Sequence, residues 1–338
     1  MAIKSSLRMP AEWAPHKRTF TAWPDQDSQK TSDDLQGAEK DVAAISNAIA
    51  EFEPVTLLCR SRNVERATKL VSSSVTIQEM EIDELWIRDS GPVFVKDAGG
   101  KVLGVDFNFN YWGNKYPGTV DPKAARLILE HDSTERVQAR LVAEGGGIEV
   151  DGEGTFIATE SSIINDNRNP GATKEVLEEQ LKTLLGLQKV IWLKGLRGYD
   201  ITDSHIDASA RFIAPGRILL TRPPKNANKV FLDAYEDDKK VLAAATDAKG
   251  RKIEVIELEE ADPTLFDGDQ YETCLSYLNY LHVNGGVIIP EFGDKIADQR
   301  ALEVLQDVYP EKKVVQVRLN MLRKLGGGIH CATQQQPE

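Results

Sequence analysis

The chain has 338 residues, 41% hydrophobic and 28% charged, the balance of a soluble globular protein with enough apolar mass for a substantial core. Acidic residues outnumber basic ones, 53 to 41, and the net charge of −12 argues against a nucleic-acid or anionic-membrane partner. Cys59, Cys274 and Cys331 are too few and too far apart for a disulfide framework or a CxxC zinc pattern.

The opening stretch, MAIKSSLRMPAEWAPHKRTF, lacks the apolar core of a signal peptide. No later run approaches the roughly 18 apolar residues of a membrane span, so a cytoplasmic, reducing location is the expectation. SDDLQGAEKDVAAISNAIAEF, from Ser32, has helical periodicity, with Ser32 as its expected N-cap. PVTLLC (54–59) and PVFVKD (92–97) read as strands. DPKAARLILE is the next helix, with Asp121 as N-cap and Pro122 at the first helical position. TKEVLEEQLKTLLG (173–186) reads as helix, KVIWLKG (189–195) and RFIAPGRILLT (211–221) as strands, and FLDAYEDDKKVLAAATDA (231–248) as helix. IEVIEL (253–258), GGVIIP (285–290) and KVVQVRL (313–319) complete the strands. No Pro/Ser-rich or low-complexity linker interrupts this α/β alternation, so residues 1–338 read as one domain.

Five stretches share one design, a polar or Gly-rich turn running into an apolar strand: RDSGPVFVKDAGG, EGGGIEVDGEGTFIAT, SHIDASARFIAPGRILLT, NGGVIIPEFGD and GGGIHCATQQQP. Their spacing of roughly 40 to 80 residues is too irregular for a solenoid and suits a closed ring of diverged units. A five-bladed α/β propeller would bring the turns to one axis, with glycine permitting close backbone approach. A conventional α/β sheet with Gly-rich loops is the alternative.

Several reactive side chains fall in these turns. Strand alternation would set His205 and Asp207 on one face, and would turn His330 away from Cys331. A cysteine nucleophile needs a base or acid drawn from elsewhere in the fold, which makes His205 the better partner for Cys331. Cys59 and Cys274 read as small buried hydrophobes, and His16, His131 and His282 as ordinary core or surface groups. A metal site on His205, Asp207, His330 and Cys331 lacks a dense ligand cluster, so none is expected. Asp89, Glu144 and Asp207 would repel one another in a dry pocket unless a cation sat between them. A guanidinium meets that need with its planar fork of donors, and Trp86 could lay its ring beside it.

The chain resembles the agmatine deiminase and bacterial-type peptidyl-arginine deiminase family of guanidino-group-modifying enzymes. The resemblance spans MPAEWAPHKRTFTAWP, WIRDSGPVFV, FNFNYWG, EGGGIEVDGEGT, NDNRNPG, DITDSHIDASARF, NGGVIIPEFGD and GGGIHCATQQQP. It implies the pentein fold, a five-bladed α/β propeller with pseudo-fivefold symmetry and its site on the axis. It also implies Cys331 as nucleophile, His205 as general acid/base and Asp89 and Asp207 as guanidinium-binding carboxylates. Glu144, Trp86 and Asn284 fall on positions of substrate binding or site support, and Gly327 and Gly328 on close approach around the thiolate. The implied reaction converts agmatine to N-carbamoylputrescine and ammonia through a covalent thiouronium, with no metal or other cofactor.

Two departures bear on the substrate. DQDSQKTSDD follows TAWP where agmatine deiminases commonly carry an Asn-Trp pair, and Glu149 stands where many have histidine. The same chemistry on free or peptidyl arginine is the alternative, and free arginine would call for an Arg or Lys partner at the pocket rim. A non-catalytic pentein binding protein would be marked by a missing nucleophile. The expected partner is a small cationic guanidino compound, and the chain is open to homo-oligomer formation.

Overall fold

The computed structural model describes residues 7–26, 31–267 and 273–338. Its strands form five separate sheets. β1 (His16–Ala22), β2 (Val55–Cys59) and β3 (Val75–Glu79) run parallel in the first. The second holds β4 (Val93–Lys96), β5 (Val102–Asp106) and β6 (Glu135–Gln138), and the third β7 (Glu149–Val150), β8 (Thr155–Thr159) and β9 (Lys189–Leu193). The fourth holds β10 (Ala210–Ala214), β11 (Arg217–Arg222) and β12 (Glu254–Glu259), and the fifth β13 (Leu281–Val283), β14 (Gly286–Glu291) and β15 (Lys313–Arg318). The last strand, β16 (Thr333–Pro337), returns to pair antiparallel with β1.

One unit therefore recurs five times: an antiparallel pair, a crossover helix, then a strand parallel to the second. In blades two to five the antiparallel pair is a hairpin, whereas blade one takes its first strand, β16, from the far end of the chain. The helices knit neighbours together. Ser32–Ile49 of blade one packs on β15 of blade five, Lys229–Ala244 of blade four on β9, and Lys295–Val308 of blade five on β12. The result is a five-bladed α/β propeller.

Local signals explain most elements. In the helix Lys174–Leu185, Leu177, Leu181 and Leu185 recur every fourth residue and are the buried ones. The Thr173 side chain caps its start, and Gly186, at φ 72°, ends it in the left-handed conformation. The first helix is capped by Thr31 rather than Ser32, because it is the Thr31 hydroxyl that accepts from the Asp34 N–H. Asp121 does not cap its helix either. Its carboxylate instead accepts from the backbone N–H groups of Asp83 and Glu84 and from the Tyr111 hydroxyl, and a 3-10 turn precedes the helix Ala124–His131. RFIAPGRILLT folds as two strands, since Gly216 at φ 76° turns β10 back into β11. Among the described residues no helix is long and apolar enough to cross a membrane.

The two ends of each blade differ. Hairpin turns close one end, and entry turns feed the first strand from the other. Ile87–Ser90 leads into β4, Gly145–Gly147 into β7, Ile206–Ala208 into β10 and residues 329–332 into β16. Four of the five Gly-rich stretches are these entry turns. NGGVIIPEFGD is not, because Asn284 and Gly285 form the β13–β14 hairpin, with Gly285 at φ 76°. The corresponding entry turn of blade five is residues 276–279.

Ring closure yields a direct expectation. A chain ending at Ala332 loses all of β16 and bares the β1 edge. It should melt more than about 5 °C below the full chain or aggregate, as read by calorimetry and light scattering.

Candidate active site

The five entry turns are joined by a closed circuit of hydrogen bonds. From blade two, Asp89 Oδ1 accepts the Gly146 N–H of blade three at 3.0 Å. Glu144 Oε2 of blade three meets His205 Nε2 of blade four at 3.1 Å. The Ser276 hydroxyl of blade five donates to the Ala208 carbonyl of blade four at 2.7 Å. Asn279 of blade five accepts the His330 N–H on its backbone carbonyl and the Cys331 N–H on its side chain, at 3.1 and 3.2 Å. Finally the Arg88 N–H of blade two donates to the Cys331 carbonyl at 3.2 Å.

Each turn places chemistry on the axis. The Cys331 thiol donates to Asp207 Oδ2 at 3.5 Å and receives the Asn279 side-chain amide at 3.1 Å. His205, Asp207, Asn279 and Cys331 line one cavity of about 220 Å³. Glu144 holds His205 by Nε2, and its other nitrogen, Nδ1, is buried without a hydrogen-bond partner, 3.6 Å from Asp89 Oδ1. A Cβ on Gly146 would lie 2.6 Å from His205 Nδ1, 2.9 Å from Asp89 Oδ1 and 3.1 Å from Asp207 Oδ2. Three side chains thus share the space that this glycine leaves open.

The strand-alternation reading of His330 is corrected here. Residues 329–332 form a turn, not a strand, so His330 and Cys331 both converge on Asp207, the imidazole Nδ1 lying 2.8 Å from the same Oδ2. His205 and Asp207 likewise lie outside any strand, His205 just before and Asp207 within the 3-10 turn Ile206–Ala208, yet both face the same cavity. Asn284 is not brought to the cluster. Its side-chain amide pairs with the backbone of His16 in both directions, and its N–H reaches Glu53, so it ties the blade-five hairpin to β1. Trp86 packs against the glycine turn, where a Cβ at Gly327 would strike its ring at 2.3 Å. A Cβ at Gly328 would press on the Asn279 side chain at 2.6 Å.

Three partners escaped the sequence reading although two lay in quoted motifs. Trp112, in FNFNYWG, donates its indole N–H to Asp89 Oδ2 at 2.8 Å. Arg168, in NDNRNPG, clamps Glu144 at 2.8 Å and Asp203 at 2.8 Å. Asn279, in CLSYLNY, carried no signal beyond its place before a strand. Glu149 pairs with Arg211 at 2.9 Å and accepts the Phe212 N–H, and burial pushes it up to about 7 against the pull of Arg211. Of the segment after TAWP, residues 27–30 lie outside the described residues.

Burial and charge set the protonation states. Burial opposes protonation of His205, but the Asp89 and Glu144 carboxylates outweigh it and raise its pKa to about 9. Burial and the nearby Asp207 and Asp89 push the Cys331 thiol well above its usual range. Asp89 is raised, chiefly by burial, whereas for Asp207 burial is outweighed by the bond to His330 together with the charges of the surrounding basic groups, and its pKa is lowered. Without a ligand the site therefore holds a neutral thiol beside a protonated histidine and a set of carboxylates. A positive ligand between Asp89 and Asp207 would favour the thiolate.

Gly146→Ala should lower kcat/KM by about 100-fold or more, since a methyl group displaces three side chains at once, while the melting temperature stays within a few degrees. The His205 shift also has a stability consequence. A pKa raised from 6.5 to about 9 contributes stability that is complete below 6.5 and disappears as pH rises through 9. Urea midpoints of the wild type should fall across that window, and the fall should be smaller in His205→Gln.

The family profile described as Porphyromonas-type peptidyl-arginine deiminase matches residues 8–337. The chain is 40% identical to the agmatine deiminase of Stutzerimonas stutzeri, over 97% of this chain and 95% of that protein. It is 38% identical to an agmatine deiminase of Pseudomonas aeruginosa, over 98% and 95%. The solved agmatine deiminase of Enterococcus faecalis superposes with a TM-score of 0.89 at 30% identity, covering 100% of this chain and 99% of that one. With the match running from the first described strand to the last, the chain belongs to the Porphyromonas-type peptidyl-arginine deiminase family and has its pentein fold.

Proposed function

We propose that the protein is an agmatine deiminase, a hydrolase that converts agmatine and water to N-carbamoylputrescine and ammonia. The observation that carries this reading is the convergence of a thiol, a histidine and two carboxylates from three blades: Cys331, His205 and Asp207 line one cavity, and Asp89 lies 3.6 Å from His205 Nδ1. Full-length relatives at 40% and 38% identity, both agmatine deiminases, support the choice of substrate.

Asp89 and Asp207 would hold the planar guanidinium, each taking part of its N–H fork. Burial and the two carboxylates raise the Cys331 pKa; the substrate's positive charge offsets the carboxylates, so the thiol gives up its proton to solvent as substrate binds and the thiolate forms. Sulfur attacks the guanidinium carbon, forming a C–S bond. His205 then gives a proton to one terminal nitrogen as its C–N bond breaks, and ammonia departs from a thiouronium adduct. The imidazole, now neutral, takes a proton from water, whose oxygen attacks the same carbon. Cleavage of the C–S bond returns the thiolate and leaves a ureido group. Glu144, fixed by Arg168, keeps the His205 ring turned so that Nδ1 faces the reaction.

Ammonia release should be measured with agmatine, free arginine and a peptidyl arginine. Agmatine should be turned over with the highest kcat/KM; preferential hydrolysis of either arginine form would move the substrate assignment. Cys331→Ser should abolish turnover, and Asp89→Asn should reduce kcat/KM by about 100-fold or more through loss of a guanidinium anchor. Normal turnover by Cys331→Ser would remove the covalent route.

A further inference from the structure

Below the thiol, a row of buried charged groups continues along the axis and takes no part in the steps above. His330 Nδ1 lies 2.8 Å from Asp207 Oδ2, and its Nε2 lies 2.7 Å from Glu12 Oε2. Glu12 comes from the N-terminal segment ahead of β1; Arg211 reaches Oε2 at 2.7 Å and the His282 N–H reaches Oε1 at 3.0 Å. Arg211 is fixed in turn by Glu149 and by the carbonyls of Leu278 and Tyr280, with its guanidinium 4.7 Å over the Tyr280 ring. His330 and Asp207 are each 1% exposed and Glu12 is 8% exposed, so water does not replace these contacts.

Both imidazole nitrogens of His330 face carboxylate oxygens at hydrogen-bond distance. A carboxylate can only accept, so the arrangement uses both N–H groups of an imidazolium. Asp207 Oδ2 is thereby committed to His330 and to the Cys331 thiol, and rotation of the carboxylate about its Cβ–Cγ bond would break both contacts.

We propose that His330 is a positioning residue: doubly protonated between Glu12 and Asp207, it fixes the rotation of the Asp207 carboxylate and offsets its charge beside the Cys331 thiol. The inference rests on the reading that Asp207 holds the substrate's guanidinium. It also assigns the N-terminal segment a role, since Glu12 holds the second imidazole nitrogen. The lowered pKa of Asp207, with His330 its main counterweight to burial, agrees with this.

Two substitutions separate positioning from mere packing. The amide nitrogen of an asparagine can stand where His330 Nδ1 does and still donate to Asp207. That of a glutamine reaches the Nε2 position and donates to Glu12 instead. His330→Asn should keep kcat/KM within about tenfold of wild type and His330→Gln should lose about 100-fold, since a small misplacement of a reacting partner has that cost. The order should hold even where the asparagine variant melts lower. Equal activity in the two, or activity that follows melting temperature, would overturn the proposal. Nitrogen-15 spectra of histidine-labelled wild type give a readout that needs neither variant nor turnover. Both ring nitrogens of His330 should be protonated at neutral pH, and a neutral tautomer would sink the idea. If wild type fails to hydrolyse agmatine while that spectrum is as expected, the reaction assignment is at fault and the positioning role stands.

Discussion

The pairing of β16 with β1 joins the two ends of the chain, and the rest of the architecture follows from it. The Arg18 and Gln336 side chains that meet across this pair are 318 positions apart. Loop-closure entropy grows only slowly with such a separation, so the cost falls more on folding rate than on stability. Once the ring is shut, five entry turns are pressed together on one axis, and their buried backbone groups need partners. The circuit from Asp89 through Gly146, His205, Ser276 and Asn279 to Cys331 supplies them. Side chains proposed to carry the chemistry are thus also among the ones that fasten blade to blade. Glycine at 146, 327 and 328 follows from the same crowding, because a Cβ at each would meet a neighbouring blade at under 3 Å.

That crowding forces an unusual density of buried charge. Arg168 with Glu144 and Asp203, Arg211 with Glu12 and Glu149, and His330 with Asp207 are all nearly inaccessible. Buried ion pairs add little net stability over apolar side chains of the same size. Their presence here is better explained by the need to hold carboxylates ionised and oriented around a thiol.

Much of the fold was legible because α/β alternation writes itself into hydrophobic periodicity. Runs such as PVTLLC and TKEVLEEQLKTLLG appear as β2 and the helix Lys174–Leu185. What failed was the assumption that a residue near a strand obeys strand alternation. His330 and Cys331 sit on a turn, where two consecutive side chains can meet one carboxylate oxygen. Asn284 was singled out and Asn279 overlooked for a related reason. The Asn-Gly pair is a strong local signal, but it marks a hairpin at the wrong end of its blade. Asn279 has no local signal, since its partner Cys331 lies 52 residues away. The helix Lys295–Val308 was also passed over, although Asp294 caps it through the N–H groups of Ile296 and Ala297.

The two carboxylates beside the thiol are held by opposite means, and the backbone accepts strain to keep it so. Asp207 lies 2.8 Å from the His330 ring and is low in pKa. Asp89 has only neutral donors within hydrogen-bond distance, the Gly146 N–H and the Trp112 indole. Trp112 reaches it from a left-handed conformation, φ 54°, that a bulky residue seldom adopts and that costs on the order of 1–3 kcal/mol. Neighbouring anchors hold that segment in place: the Asn110 side chain caps Gly113, Asn108 bonds to the carbonyls of Ala139 and Leu141, and the Tyr111 hydroxyl donates to Asp121. An arginine or lysine in place of the indole would pair with Asp89 permanently and cancel its charge. An indole N–H orients the carboxylate without neutralising it, so the positive charge facing Asp89 is left to the protonated His205 ring, 3.6 Å away, and to a cation bound beside it.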